Sequence, residues 1–262
     1  QAPGGVSTNL FLWIKADIGV SRTGSNVSQW TNQAGTPMTL QASKTATANV
    51  TYNSNYFNYN PSILFDGTLS QNLSGTYTSA PTSAPVLFCV SKSVNTQNGC
   101  CSGPYHLGPA GSYGIGYGEV WDGGTILSPN NSYSVDSSGC AGSASTSATV
   151  NLPFVVTGKY VSATNLLNAT SSTNGTIGPL AGSCPIFAPN GDFQVGGRTY
   201  GANNSSRIFN GHIPEVIHYN SPTMSALNIS KIETYLAVKY GITLINNYVS
   251  TTGATIYCFR RL

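Results

Sequence analysis

Carboxylates, imidazoles and thiols carry most side-chain chemistry, and this sequence of 262 residues holds few of them: eight Asp and Glu, three His and six Cys. Hydrolysis of a glycosidic bond needs two carboxyl groups facing each other across it. The nearest pair in sequence is Glu119 and Asp122 in Glu119-Val120-Trp121-Asp122. A spacing of three sets them on opposite faces of a strand. Glu215 and Glu233 are expected in structural hydrogen bonds or ion pairs, for instance with Lys231 or Lys239. No Gly-x-Ser-x-Gly elbow is present for a serine nucleophile. No Cys-x-x-Cys pair occurs beside the three His, so zinc-ligand spacing is lacking. His212 and His218 bracket an apolar run at a spacing of six, which faces both to one side of a strand. Without a third ligand they read as surface or edge residues. No catalytic or metal-binding residue is assigned, and the chain reads as non-enzymatic.

Binding has better raw material. Sugars are recognised by aromatic faces against the apolar side of the pyranose, with amides and carboxylates taking the hydroxyls. The chain has 15 Tyr and 3 Trp. They concentrate in Tyr52–Asn60, where aromatics alternate with Asn, and in the stretch from Tyr113 to Gly124. On a strand Tyr113, Tyr117, Glu119 and Trp121 share one face, with Asp122 following in the turn. These five residues are the expected glycan-binding platform. The competing reading is that this face is simply core, with Trp121 buried.

Charge is scarce. Eleven Lys and Arg with eight acids give 7% charged residues and a formal net charge of +3, against about 25% in an average soluble protein. Solubility rests instead on 33 Ser, 28 Thr and 25 Asn. The basic residues are scattered, so the clusters that neutralise nucleic-acid phosphates are missing. No run of 18 apolar residues suggests a membrane-spanning helix, and no charged, then apolar, leader opens the sequence. A mature exported chain, its signal removed, located outside the cell or on its surface, is expected. In an oxidising compartment the cysteines pair. Six allow 15 connectivities, and the expected participants are Cys89, Cys100, Cys101, Cys140 and Cys184, with Cys258 in the tail left over.

Short apolar runs separated by Gly, Asn, Ser and Pro mark strands and turns. They include 10–14, 63–65, 85–90, 149–156, 192–195 and 212–219. Strand after strand with no helix between them implies antiparallel sheets packed face to face. One helix is expected from Ser225 to Tyr240, where Ile229, Ile232, Leu236 and Tyr240 recur at threes and fours and Gly241 follows as a cap. It would lie against the edge or end of the sandwich.

Several blocks carry a resemblance. They are Pro3-Gly4-Gly5-Val6, Leu12-Trp13-Ile14-Lys15-Ala16-Asp17, Trp30-Thr31-Asn32-Gln33-Ala34-Gly35, Pro61-Ser62-Ile63-Leu64-Phe65-Asp66-Gly67, Phe193-Gln194-Val195-Gly196-Gly197-Arg198, Gly211–Asn220 and Ile232–Leu244. In this order and spacing the chain resembles the concanavalin A-like (LamG-like) domains of large secreted surface proteins and adhesins of the Bacteroidota. The resemblance implies an all-β, jelly-roll sandwich of two antiparallel sheets with one C-terminal amphipathic helix over residues 1–244. Residues 245–262 form a tail that would add a strand or contact another copy. It also implies that Trp13 and Trp30 are core anchors. Such domains usually read Trp-x-Asp-Gln-Ser-Gly, where this chain has Asn32 and Ala34.

The fold hosts lectins, hydrolases, lyases and structural modules, and does not choose among them. Jelly-roll glucanases carry Glu-x-Asp-x-Glu on one strand, which this chain lacks. Related lectins hold calcium through loop carboxylates. Here Asp17, Asp66 and Asp122 would have to serve with backbone carbonyls, and Asp66 reads better as the cap of its own turn. No cofactor is expected. The leading expectation is a secreted or surface-displayed adhesive module that binds extracellular polysaccharide or glycoprotein glycans. The alternative is a self-associating structural subunit of an extracellular filament, sheath or adhesin, and a glycan-degrading enzyme is the minor one.

Overall fold

A computed structural model of the chain describes residues 1–35, 39–42, 50–69, 71–76, 86–94, 103–107, 115–120, 130–137, 143–149, 151–163, 166–173, 176–177, 181–185, 192–197, 209–221 and 223–258. Its strands begin with β1 (Leu10–Lys15), β2 (Val20–Thr23), β3 (Asn26–Thr31), β4 (Thr39–Ala42), β5 (Thr51–Phe57), β6 (Asn60–Phe65) and β7 (Leu73–Thr76). There follow β8 (Val86–Ser93), β9 (Tyr105–Leu107), β10 (Ile115–Val120), β11 (Asn130–Ser137), β12 (Ser143–Thr149) and β13 (Phe154–Ala163). Then come β14 (Leu166–Thr173), β15 (Thr176–Ile177), β16 (Ala181–Pro185), β17 (Asp192–Val195) and β18 (Gly211–Tyr219). Helix α1 (Ala226–Tyr240) and a hairpin of β19 (Tyr248–Val249) and β20 (Thr255–Tyr257) follow.

Every pairing among the described residues is antiparallel. One sheet runs β16-β14-β13-β8-β18, with β1 and β6 sharing the far side of β18 and β5 beyond β6. The other runs β2-β3-β4-β7-β17-β9-β10-β11-β12. Among the described residues, a bridge from Asn26 to Thr51 joins them at one corner. Leu12, Ile14, Leu87, Ile213 and Val216 of the first sheet meet Val27, Trp30, Leu73, Tyr105 and Phe193 of the second in the core between them. This is the expected all-β sandwich.

The first sheet is buried on its outer face too. Trp13, Val86, Phe88, Val90, Ile217 and Tyr219 pack there against Ile232, Leu236, Ala237 and Tyr240 of α1. So the helix covers a face of the sandwich, not its edge or end. The reason lies in β8 and β18, which are buried on both sides; all nine residues of β18 are buried. A strand buried on both faces loses the polar alternation of a half-exposed one. The Ser225 hydroxyl caps α1 by accepting from the Asn228 N–H at 3.2 Å. Gly241 ends it in the left-handed conformation at φ 66°, which a Cβ would disfavour.

Inside β18 stands Pro214. Proline has no N–H for a ladder and is tolerated in a central strand only at an irregularity. The pairing with β8 indeed shifts register between His212 and Glu215, while the Pro214 carbonyl accepts from Ala16 N–H at 2.8 Å. Such a bulge re-aims the side chains beyond it.

The two histidines therefore do not share a face, and neither lies at a surface or edge. His212 stacks on Tyr56 with ring centroids 3.5 Å apart and lies 3.0 Å from the Ser62 hydroxyl. His218 points into the core between the sheets, 5.1 Å from the Phe11 ring and 3.4 Å from the Tyr105 hydroxyl. Burial, helped by the nearby Lys92 charge, lowers the pKa of His212 to about 4. Burial takes His218 to about 3 against an opposing hydrogen bond with Asn220.

Cys89 also departs from expectation. It is a free thiol, buried between the sheets; burial pushes its pKa up, with the Glu215 charge adding to the shift. Its place on the inward face of a central strand, among packed apolar side chains, keeps it out of any loop-to-loop bridge. Cys258 is free and exposed. Cys184 lies on β16, and Cys100, Cys101 and Cys140 fall outside the described residues.

A histidine whose native pKa is depressed is neutral in the folded state while the unfolded chain takes up a proton below about pH 6.5. Its stabilising contribution is complete above that pH and is lost as pH falls. We expect urea midpoints to decline from pH 7 to 5, each histidine contributing up to about 1.4 kcal/mol per pH unit. His218→Leu should show a visibly shallower decline.

Candidate functional site

Strand β1 places Trp13 and Lys15 two residues apart, on the outer face of the first sheet. Opposite them, the β18 bulge turns Glu215 to the same side, in register with Lys15. Helix α1 lays Tyr235, Lys239 and Tyr240 across the pair. Glu215 is fully buried, and its carboxylate is saturated. Oε1 accepts from Trp13 Nε1 at 2.6 Å, and Oε2 accepts from Tyr240 at 2.7 Å, Lys239 at 2.8 Å and Tyr235 at 3.3 Å. Lys239 reaches Asp17 as well, at 3.1 Å. Burial and the adjacent Glu215 charge push the Tyr235 and Tyr240 hydroxyls well up in pKa, so both stay protonated as donors. Four donors on one carboxylate tie β1 and α1 to β18.

Strand β1 is itself held by Asn32. Its side-chain oxygen accepts from the N–H groups of Trp13 at 2.7 Å and Ala34 at 3.0 Å, and its amide donates to the Phe11 carbonyl at 3.1 Å. An ionised Asp in its place would have no hydrogen to give Phe11. The departure from the expected Asp thus has a local use: it ties β1 to the loop that follows β3.

Beside this cluster opens a cleft of about 510 Å³. Trp13 and Lys15 come from the sheet, and Lys231, Thr234, Tyr235, Val238 and Lys239 from one flank of α1. A second wall is the turn at Pro3–Gly5, which contributes Gly4 and Gly5. The third wall is Val249, Ser250 and Thr251 of the hairpin, far away in sequence from that turn. Gly4, at φ +58°, presses so close to α1 that a Cβ would stand 2.6 Å from the Lys231 carbonyl oxygen. The lining mixes an indole, a phenol ring, aliphatic surface, hydroxyls and ammonium groups. Lys15 sits 4.5 Å from the centre of the Trp13 ring and 4.0 Å from Asp17.

The expected platform is placed only in part. Tyr117 and Glu119 fall on β10, between β9 and β11. The register with β11 shifts between them. Tyr113, Trp121 and Asp122 lie outside the described residues. Of the carboxylates considered for calcium, Asp17 pairs with Lys239, and Asp66 accepts from the backbone and hydroxyl of Thr68 at 2.8 and 2.7 Å, capping its turn. The expected Glu215–Lys239 pair is present, whereas Glu233 accepts from the Thr157 hydroxyl at 2.7 Å. Trp13, expected as a core anchor, is 8% exposed and both anchors the sheet and lines the cleft. Sequence reading does not single out Lys15 and Lys231 as site residues. The available signal is that three of the six lysines stand in the two segments, 13–15 and 231–239, that meet here.

A family model described as a domain of unknown function (DUF8202) matches residues 228–260, which hold most of α1 and the hairpin. No curated protein matches the chain. Among solved structures, the chain is similar to domain 4 of AbnA, a GH43 extracellular arabinanase from Geobacillus stearothermophilus, in complex with arabinotriose. The TM-score is 0.54 at 12% identity, over 80% of this chain and 92% of that one. It is also similar to Trypanosoma rangeli sialidase in complex with sialic acid, with TM-score 0.54, 12% identity, and 90% of this chain but 34% of that one covered. The botulinum neurotoxin type G receptor binding domain gives TM-score 0.51 at 12% identity, over 88% of this chain and 52% of that one. At such identities the likeness concerns the β-sandwich fold alone.

Neutralising Glu215 takes the charge from a site that four donors face and leaves Lys239 with only the partly exposed Asp17. Glu215→Gln should therefore lower stability by about 3 kcal/mol in urea unfolding at pH 7.

Proposed function

We propose that this chain is a carbohydrate-binding module without catalytic activity, exported and displayed outside the cell, as in the Bacteroidota surface proteins it resembles. The cleft beside Trp13 and Tyr235 carries this reading. Its volume suits a sugar unit or two, and its lining offers ring faces for C–H groups and hydroxyls for hydroxyls. Pockets with a few polar groups on an apolar base are the usual form of small-ligand sites. Similar folds occur in an arabinanase domain holding arabinotriose and a sialidase holding sialic acid, which supports glycans as the ligand class. Among the described residues the cleft lining holds no carboxylate, and Glu215 and Asp17 beside it are engaged with Trp13, Tyr240 and Lys239, which favours binding over hydrolysis. Calcium has no part in this reading.

A second reading, a self-associating structural subunit, is favoured by the hairpin. Ile256 and Tyr257 on β20 are 62% and 61% exposed, and apolar side chains on a short edge strand invite contact with another chain.

Val238 is 61% exposed on the cleft flank of α1, so Val238→Trp fills the cleft at little cost to folding. On a glycan array followed by calorimetry, wild type should bind at least one saccharide, Val238→Trp should lose about tenfold or more in affinity, and EDTA should change nothing. Absence of binding by wild type would remove the carbohydrate reading. If the second reading holds, sedimentation should show oligomers that Ile256→Asp dissociates.

A further inference from the structure

We infer that the cleft takes an acidic saccharide, one bearing a carboxylate or sulfate, and that Lys15 and Lys231 receive the anionic group; this rests on the carbohydrate reading of the same cleft. The chain has only 19 charged residues (11 basic and 8 acidic), yet five of them gather here. Lys15, Lys231 and Lys239 line the cleft, and Asp17 and Glu215 pair with Lys239 beside it. Three ammonium groups against two carboxylates leave one positive charge in excess, in a chain otherwise poor in charge.

The five do not contribute alike. The side chain of Lys239 is 13% exposed and is spent inward on Glu215 and Asp17. It balances the buried carboxylate and has little left for a ligand. Lys15 is held less tightly: its ammonium is 4.0 Å from Asp17, with 20% of its side chain exposed, over the ring of Trp13. Among the described residues Lys231 makes no ion pair, and its stem runs past Gly253 of the hairpin turn. One ammonium thus rises from the strand and another from the helix wall, on the lining of a single cleft. A ligand anion between them would meet two partners that the protein itself leaves incompletely neutralised.

The apolar lining narrows the choice of ligand further. A free inorganic anion would need only the lysines. The indole of Trp13, the ring of Tyr235 and Val238 add a surface with no use for a small ion but well fitted to the C–H face of a sugar ring. Thr251 stands on the third wall for hydroxyls. Ammonium groups next to aromatic faces therefore select for a ring that also carries a negative charge. Charge-assisted hydrogen bonds are stronger than neutral ones, so the anionic group should dominate the choice among saccharides.

The test is calorimetric titration of the whole chain with a hexuronate trisaccharide, a sulfated trisaccharide and a neutral trisaccharide, at low and at physiological salt. At least one acidic ligand should bind about tenfold or more tightly than the neutral one, and its affinity should fall as salt rises. Whichever acidic ligand prevails identifies the source of the anion, and either supports the inference. Lys231→Gln and Lys15→Gln should each weaken that binding about three- to tenfold while leaving neutral binding unchanged. Arg22→Gln, which removes one charge from exposed β2 away from the cleft lining, should leave both as in wild type. Neutral and acidic ligands binding equally, with both lysine variants like wild type, would overturn the inference and leave the carbohydrate reading standing. Binding of no saccharide would take the carbohydrate reading down as well.

Discussion

Much of this molecule depends on one carboxylate in an apolar seam. The first sheet is covered on one face by the second sheet and on the other by α1, so polar side chains on β18 have no water to turn to. An ionised group there is tolerated only if its lone pairs are filled. Glu215 fills them with an indole from β1 and two phenols and an ammonium from α1. The same four bonds fix the angle and height of the helix over the sheet, which dispersion between Ile232, Leu236 and the strand residues would leave less specified. The helix position in turn sets how far its Lys231–Lys239 flank stands from β1, and hence whether a cleft exists between them.

The bulge at Pro214 is what makes this arrangement reachable. With unbroken alternation, Glu215 would fall on the same side as Ile213, in the core between the sheets, where no donors from α1 could find it. One irregularity thus turns a carboxylate toward its partners and sends to opposite faces two histidines that a regular strand would have set on one. Proline is usually an obstacle in a central strand. Here it stands where the ladder with β8 is already interrupted.

The fold is legible in the sequence because it follows from local patterns. Short apolar runs between turn residues announce the strands, and threes and fours from Ile229 to Tyr240 announce the helix. Where α1 packs is less legible, although the unbroken apolar character of Val86–Val90 points to a strand covered on both faces. A spacing of six misplaces His212 and His218 because it assumes a regular strand through Pro214. Composition groups Cys89 with loop cysteines because it suggests a compartment but not a direction. The cleft is harder still. Sequence reading favours places where aromatics and amides are dense, such as Tyr113–Trp121. The cleft is instead assembled from a turn at residues 3–5, two strand residues, a helix flank and a hairpin, none of them a motif alone.

Gly5 packs against Thr251 so closely that a Cβ on the glycine would stand 3.1 Å from the threonine side chain. Two walls of the cleft, drawn from widely separated stretches of sequence, thus meet at its rim. Small peripheral elements of this kind open more readily than the sheets beneath them. A ligand that touches both walls would therefore act as a clasp, holding together a seam that the backbone alone closes only weakly. Occupancy would then be felt as a slower loosening of residues 249–251 from the rest of the molecule, so that the mouth and the mechanical resilience of the module would be governed by the same few contacts.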